Sequence, residues 1–244
     1  MTIKERPILF SAPMVRATLA GQKTMTRRVI KEHPLEGPAD AIFPDGSGKG
    51  FVAWWGPGPH TAEKTAKLYP GEDGFKCPYG QVGDRLWVRE SWKTYASLDH
   101  LPPREISTWA AIEYSAGGSN VVGQESLHGM GKSRPSIFMP RWASRITLEI
   151  TGVKVERLQD ITDIDAMAEG LSRLSKDALT FKYGIPDRDG LPGNDDCGWH
   201  WKEWTANPGV AFKKLWDSIN GKTPGKSWDD NPYVWAVSFK RVDA

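Results

Sequence analysis

The period of apolar and polar positions changes several times along the chain, and the changes mark out its elements. Residues 7–10 form a short apolar run that predicts a first strand. Ser11 stands where an N-cap is wanted for the helix that follows, with Pro13 in the first turn, where a missing N–H costs little. Met14, Val15, Thr18 and Leu19 give that helix an inward face, and Gly21 suits the position just past its end. A strand then runs to about Ile30. Residues 86–90 alternate, with Leu86, Val88 and Glu90 on one face and Trp87 and Arg89 on the other. Residues 109–114 and 136–139 are shorter strand candidates. Residues 145–158 form the longest strand-like segment, and Gly152 within it marks a bulge or a corner. Thr162 caps a short helix with an acid, Asp165, at its third position, and Glu169-Gly170 closes it. Residues 210–219 read as an amphipathic helix through Phe212, Leu215, Trp216 and Ile219, and residues 233–242 as a last strand.

Two stretches have no period. Residues 31–80 are dominated by Gly, Pro, Trp and polar side chains, with a short hairpin expected near 51–54; residues 172–208 carry an aromatic knot of Trp199, Trp201 and Trp204. Both are read as loop-rich insertions in one domain spanning 1–244. Short strands with a few helices and no regular βα alternation predict an α+β fold, a small mixed β-barrel with helices on its outside.

Composition narrows the function. Lys and Arg number 32 against 30 Asp and Glu, a balance that argues against wholesale electrostatic binding of nucleic acid and leaves room for a local basic patch. No apolar run is long enough to span a bilayer and the start has no secretory h-region, so no membrane partner and a cytoplasmic location are expected. The cysteines, Cys77 and Cys197, are too few and too far apart for a disulfide framework. Cys197 and His200 lie three apart, but one such pair falls short of a metal site, and neither metal nor cofactor is expected. The glycine-rich piece 45–50 lacks the Gly-Lys-Ser/Thr ending of a phosphate-binding loop. Twelve tryptophans serve either core packing or base stacking in a cleft.

The densest chemistry is Gly21-Gln22-Lys23-Thr24-Met25-Thr26-Arg27-Arg28. One reading is an exposed basic strand edge, protected against pairing by its charges. The other is a site: threonine becomes a nucleophile when a base takes its proton, and a neutral lysine can be that base. Burial and the neighbouring arginines would lower the pKa of Lys23 in the required direction. On a regular strand Lys23 and Thr26 point to opposite faces, so they meet only if the chain is still turning at Lys23. Glu169, where the helix macrodipole opposes a negative charge, is either a solvated acid at a helix end or a proton shuttle.

Gly21-x-Lys23-x-x-Thr26-x-Arg28 resembles the signature of the ASCH (activating signal cointegrator homology) domain, Gly-x-Lys-x-x-Glu-x-Arg. Thr26 stands at the Glu position, as in the bacterial N4-acetylcytidine amidohydrolases of that family. Further segments, among them Gly83-Asp84-Arg85-Leu86-Trp87-Val88-Arg89-Glu90 and Met139-Pro140-Arg141-Trp142, are similar to the longer phage and prophage members, often labelled morphogenetic. The resemblance implies a PUA-like β-barrel, a nucleoside or RNA partner, and a catalytic set of Lys23, Thr26 and Glu169. With it go substrate contacts from Arg27 and Arg28, and from Arg89, Glu90 and Trp92 lining the same cleft. It also leaves open a non-catalytic RNA- or modified-base-binding module, or a phage morphogenesis factor.

Overall fold

The computed structural model describes residues 3–30, 77–120, 129–194 and 196–242, with the backbone alone of 39–44, 51–55 and 75–76. The first strand, β1 (Glu5–Leu9), leads through Ser11 into α1 (Ala12–Leu19), which buries Met14, Val15, Ala17 and Thr18. Gly21 takes a positive φ of 74° to turn the chain back, and β2 follows at Met25–Val29. In the first insertion β3 (Ala39–Pro44) and β4 (Phe51–Trp55) pair antiparallel, as the expected hairpin requires, and β5 (Phe75–Lys76) adds to them. The remainder of residues 31–74 lies outside the described residues, the glycine-rich piece included.

Next come β6 (Arg85–Arg89) and the short pair β7 (Trp92–Lys93) and β8 (Glu113–Tyr114). Then follow the long β9 (Thr147–Arg157) and α2 (Asp163–Ala168), whose Thr162 side chain accepts from the Asp165 amide as the capping pattern predicts. The second insertion contains a hairpin absent from the sequence reading, β10 (Ser172–Ser175) with β11 (Phe181–Gly184). It packs near α3 (Pro208–Asn220), and β12 (Tyr233–Val242) ends the fold. Two expected strands are corrected. Residues 136–138 form a 3-10 turn held between Pro135 and Pro140, and of 109–114 only Glu113 and Tyr114 pair, with Trp109 projecting into solvent.

The main sheet has five strands in the order β1-β6-β9-β12-β2, with β1 parallel to β6 and the other pairs antiparallel. The long partners β9 and β12 shift register between Ser238 and Phe239, opposite Gly152, where the sequence places a bulge. Leu86, Val88, Leu148, Ile150, Val153 and Val237 form the inward row, all nearly inaccessible. Phe212 and Trp216 of α3 join that core, each burial contributing roughly 1.5–3 kcal/mol.

The expected barrel does not form: among the described residues no sheet closes on itself. The edges β1 and β2 are not hydrogen-bonded neighbours. Pro7 has no amide to offer a further strand, and among the described residues the edges are joined at one end, where Arg28 Nη2 donates to the Leu9 carbonyl at 3.0 Å. A cavity occupies the seam. Among the described residues, no helix is long and apolar enough to cross a membrane.

Candidate functional site

The cavity at the seam measures about 370 Å3 and is lined by Phe10 and Tyr79, by Lys23, Thr26 and Arg28, and by Glu169. Its outer wall is the apolar face of α3, including Trp216. Two chain turns bring these residues together. Gln22 and Lys23 both donate their amides to the Ala17 carbonyl, so the chain is still leaving α1 at Lys23 and becomes strand only at Met25. That resolves the alternation problem: Lys23 precedes the regular strand and faces the same cavity as Thr26. Glu169, the residue that caps the C-terminus of α2, enters from the opposite side.

Lys23 is buried at the bottom of the site. Its Nζ donates to the Met25 carbonyl at 2.7 Å, the Glu169 carbonyl at 2.8 Å and Glu169 Oε2 at 2.9 Å. The ammonium therefore terminates α2 as well as pairing with its carboxylate, a favourable placement at the negative end of a helix. Burial pushes the Lys23 pKa below its ordinary value of 10.5; the Glu169 charge and hydrogen bond oppose that shift, and Arg28 and Arg27 add to it. The Phe10 ring lies 5.3 Å from Lys23 Nζ and 5.8 Å from the Arg28 guanidinium, an aromatic floor under two cations.

The two arginines of the motif do different things. Arg28 Nη1 donates to Thr26 Oγ1 at 2.7 Å and to the Arg27 carbonyl at 2.9 Å, which fixes the threonine hydroxyl and holds a positive charge beside it. Arg27 is inaccessible to solvent and is committed to carboxylates: Nε to Glu156 at 2.7 Å, Nη2 to Asp165 at 3.0 Å and Nη1 to Glu169 at 3.3 Å. Its neighbours in the sheet register, Ala236 and then Lys154, explain how. The alanine methyl leaves the row open, and Lys154 joins Glu156 and Asp165 at 2.9 and 3.6 Å. Arg27 thus orients Glu169, and it also lines the cavity.

Arg89, Glu90 and Trp92 do not line the cavity. Arg89 lies over the Trp87 ring at 4.5 Å and donates to the Ile137 carbonyl. Glu90 is buried in a two-pronged pair with Arg145 at 2.8 and 2.9 Å. Trp92 has no exposed surface; it is the centre of a second apolar cluster with Ile106, Ile112, Tyr114 and Met139. These three residues hold the fold, which is the reading that alternation alone supports for a strand and its continuation. Cys197 and His200 do not approach each other as ligands either. Cys197 Sγ accepts from Arg16 Nη2, while His200 Nδ1 accepts from the Lys202 amide, and among the described residues no group of three or more His, Cys, Asp or Glu could hold a metal.

Sequence reasoning missed Phe10, Tyr79 and Trp216 as cavity walls. The signal was present for Trp216, on the inward face of an amphipathic helix; Phe10 read only as the end of an apolar strand, and Tyr79 fell in a stretch without a period.

Gly170, directly after Glu169, has φ of 103°, and a Cβ there would stand 3.1 Å from the Ala17 Cβ and 3.2 Å from the Lys23 Cβ. Gly170→Ala is therefore expected to destabilise the protein by about 1–3 kcal/mol through backbone strain and to displace Lys23. Thermal unfolding checks it, and an unchanged midpoint would refute the close packing of α2 against Lys23. Comparison of the chain with protein-family models, with curated proteins and with solved structures finds no match in any of the three.

Proposed function

We propose that this protein is an ASCH-like, PUA-related amidohydrolase that removes an acyl group from an N4-acetylcytidine-like base. The observation that carries the reading is the buried contact between Lys23 Nζ and Glu169 Oε2 at 2.9 Å, in a cavity that also receives Thr26. A volume of about 370 Å3 falls in the range of roughly 300–1,000 Å3 usual for small-molecule sites. In this reading Thr26 Oγ attacks the acyl carbonyl carbon and its proton passes to the lowered-pKa amine of Lys23. Deprotonated Lys23 has two N–H groups for its three acceptors, which frees one direction for the lone pair. Arg28, already on Thr26 Oγ1, stabilises the developing oxyanion. The proton returns across the Lys23–Glu169 pair to the leaving base amine, and water then cleaves the threonine ester to release the acid and restore the hydroxyl.

A second reading, a module that binds a modified base or RNA without chemistry, is favoured by one specific observation. All three donors of Lys23 Nζ are occupied and Thr26 has no exposed surface at rest. Turnover of N4-acetylcytidine separates the two. Release of acetate by the wild type, lost in a folded Thr26→Ala protein, supports the hydrolase. Saturable nucleoside binding without acetate release transfers the same cavity to recognition alone.

A further inference from the structure

We infer that a second cavity, on the other side of α1, takes a phosphate or a phosphate ester. It measures about 260 Å3 and is lined by Arg16, Arg173 and Arg188, with Gln22, Ser172 and Asp187. That is below the roughly 300–1,000 Å3 of sites for larger ligands and suits a small anion with part of its ester.

The state of each charged group points to an anion. Arg16 Nη1 is buried and makes no hydrogen bond; its nearest counter-charge, Asp196 Oδ2, is 3.6 Å away, and Nη2 is spent on the Cys197 sulfur. Arg188 Nε is 3.8 Å from the same Asp196 oxygen, and its Nη2 reaches the Ser115 carbonyl at 3.4 Å. Arg173 stacks on the Phe181 ring at 3.7 Å, which leaves the N–H groups in the guanidinium plane available, and among the described residues it has no hydrogen-bonded acceptor. The acidic member of the lining is engaged by backbone: Asp187 Oδ1 accepts from the Gly198 amide at 2.7 Å and the Asp196 amide at 3.3 Å. Ser172 donates to Gln22 Oε1 at 3.3 Å, so the amide nitrogen of Gln22 keeps its two donors. Forked guanidinium groups with open N–H directions, beside hydroxyl and amide donors, match the tetrahedral oxygens of phosphate.

The two cavities share a wall. Lys23 and Glu169 face the first, and their chain neighbours Gln22 and Gly170 face the second. A phosphorylated ligand in the second is thereby next to whatever occupies the first, but the inference does not depend on chemistry there.

The test is calorimetric titration of the full chain with inorganic phosphate at low salt, for wild type, Arg173→Gln and Arg16→Gln. Saturable binding by the wild type that weakens by ~10-fold or more in each variant is expected, because each removes a charged hydrogen-bond donor. Arg173→Gln should keep the wild-type unfolding midpoint without phosphate, which separates a lost ligand from a lost fold. Absence of binding by the wild type, or equal binding by wild type and Arg173→Gln, overturns the proposal. A single-stranded RNA arm identifies the source of the phosphate: a backbone phosphate predicts a salt slope smaller by ~0.7 in Arg173→Gln, and an unchanged slope assigns the site to free phosphate esters. Turnover of N4-acetylcytidine, which has no phosphate, is expected to be the same in Arg173→Gln as in wild type, so failure of the first cavity's reading shows separately.

Discussion

Lys23→Ala is expected to reduce turnover of an N4-acylated cytidine by about 10²–10⁴-fold, the usual contribution of one general acid–base group, while leaving nucleoside affinity within a few-fold. The expectation follows from position. Lys23 Nζ is held against Glu169 Oε2 in the cavity that Thr26 faces, so it is the amine placed to exchange a proton there. The pH profile gives a sharper check. Because burial lowers the Lys23 pKa, the amine becomes available below the ordinary lysine range, so kcat/KM should rise with pH along a limb that Lys23→Ala lacks. The same shift has a sign in stability. The unfolded chain binds a proton at Lys23 that the folded chain gives up earlier, so between the lowered pKa and the ordinary value of 10.5 stability rises with pH. A Lys23→Met protein, which keeps the volume, should lose that rise in denaturant titrations repeated from neutral to alkaline buffer. A pH profile identical to wild type would remove Lys23 from the proton transfer.

Arg27→Met should cost about 3–5 kcal/mol of stability, the range for breaking a buried ion pair by removing one partner. Arg27 has no exposed surface, and its removal leaves Glu156, Asp165 and Glu169 with Lys154 and Lys23 as their cations among the described residues. An internal control is available on the surface. Lys213 pairs with Asp229 at 2.8 Å with both side chains well exposed, and Asp229→Ala should cost no more than ~1 kcal/mol. Urea unfolding of both variants tests the contrast; equal losses would mean that the Arg27 cluster is no more than another solvated network.

The elements that were legible are those whose periodicity matched their burial. β6, β9, β12 and α3 follow from alternation or helical spacing because one face of each is covered by the core. Lys23, Thr26 and Glu169 were marked by one motif and one helix end, and the structure brings them to one cavity. The failures have physical causes. Residues 136–139 have strand-like composition, yet prolines on both sides leave only a tight turn. Glu90 and Trp92 were placed in the cleft by the family resemblance of their segment, whereas one satisfies Arg145 and the other fills a second apolar cluster. Arg27 reads from sequence as a strand-edge cation or a substrate contact; its carboxylate partners lie 129 to 142 residues away, a separation that no local pattern encodes.

The strand order has a consequence for how the molecule comes to be. β2, which carries Thr26, Arg27 and Arg28, is an edge strand paired only with β12, and β12 in turn stands between it and β9. During synthesis the second strand therefore waits without a partner until residues 233–242 have left the ribosome. Lys23 and Glu169, 146 residues apart, are joined directly by their ion pair and by the Thr24 amide on the Ala168 carbonyl, but the strand that Lys23 leads into has β12 as its sheet partner. Nonlocal pairing of this kind folds slowly, because the loop must close before its contacts can stabilise it. The strand that carries the motif thus gains its sheet partner late, and a nascent chain that stops short of β12 carries the motif without that support.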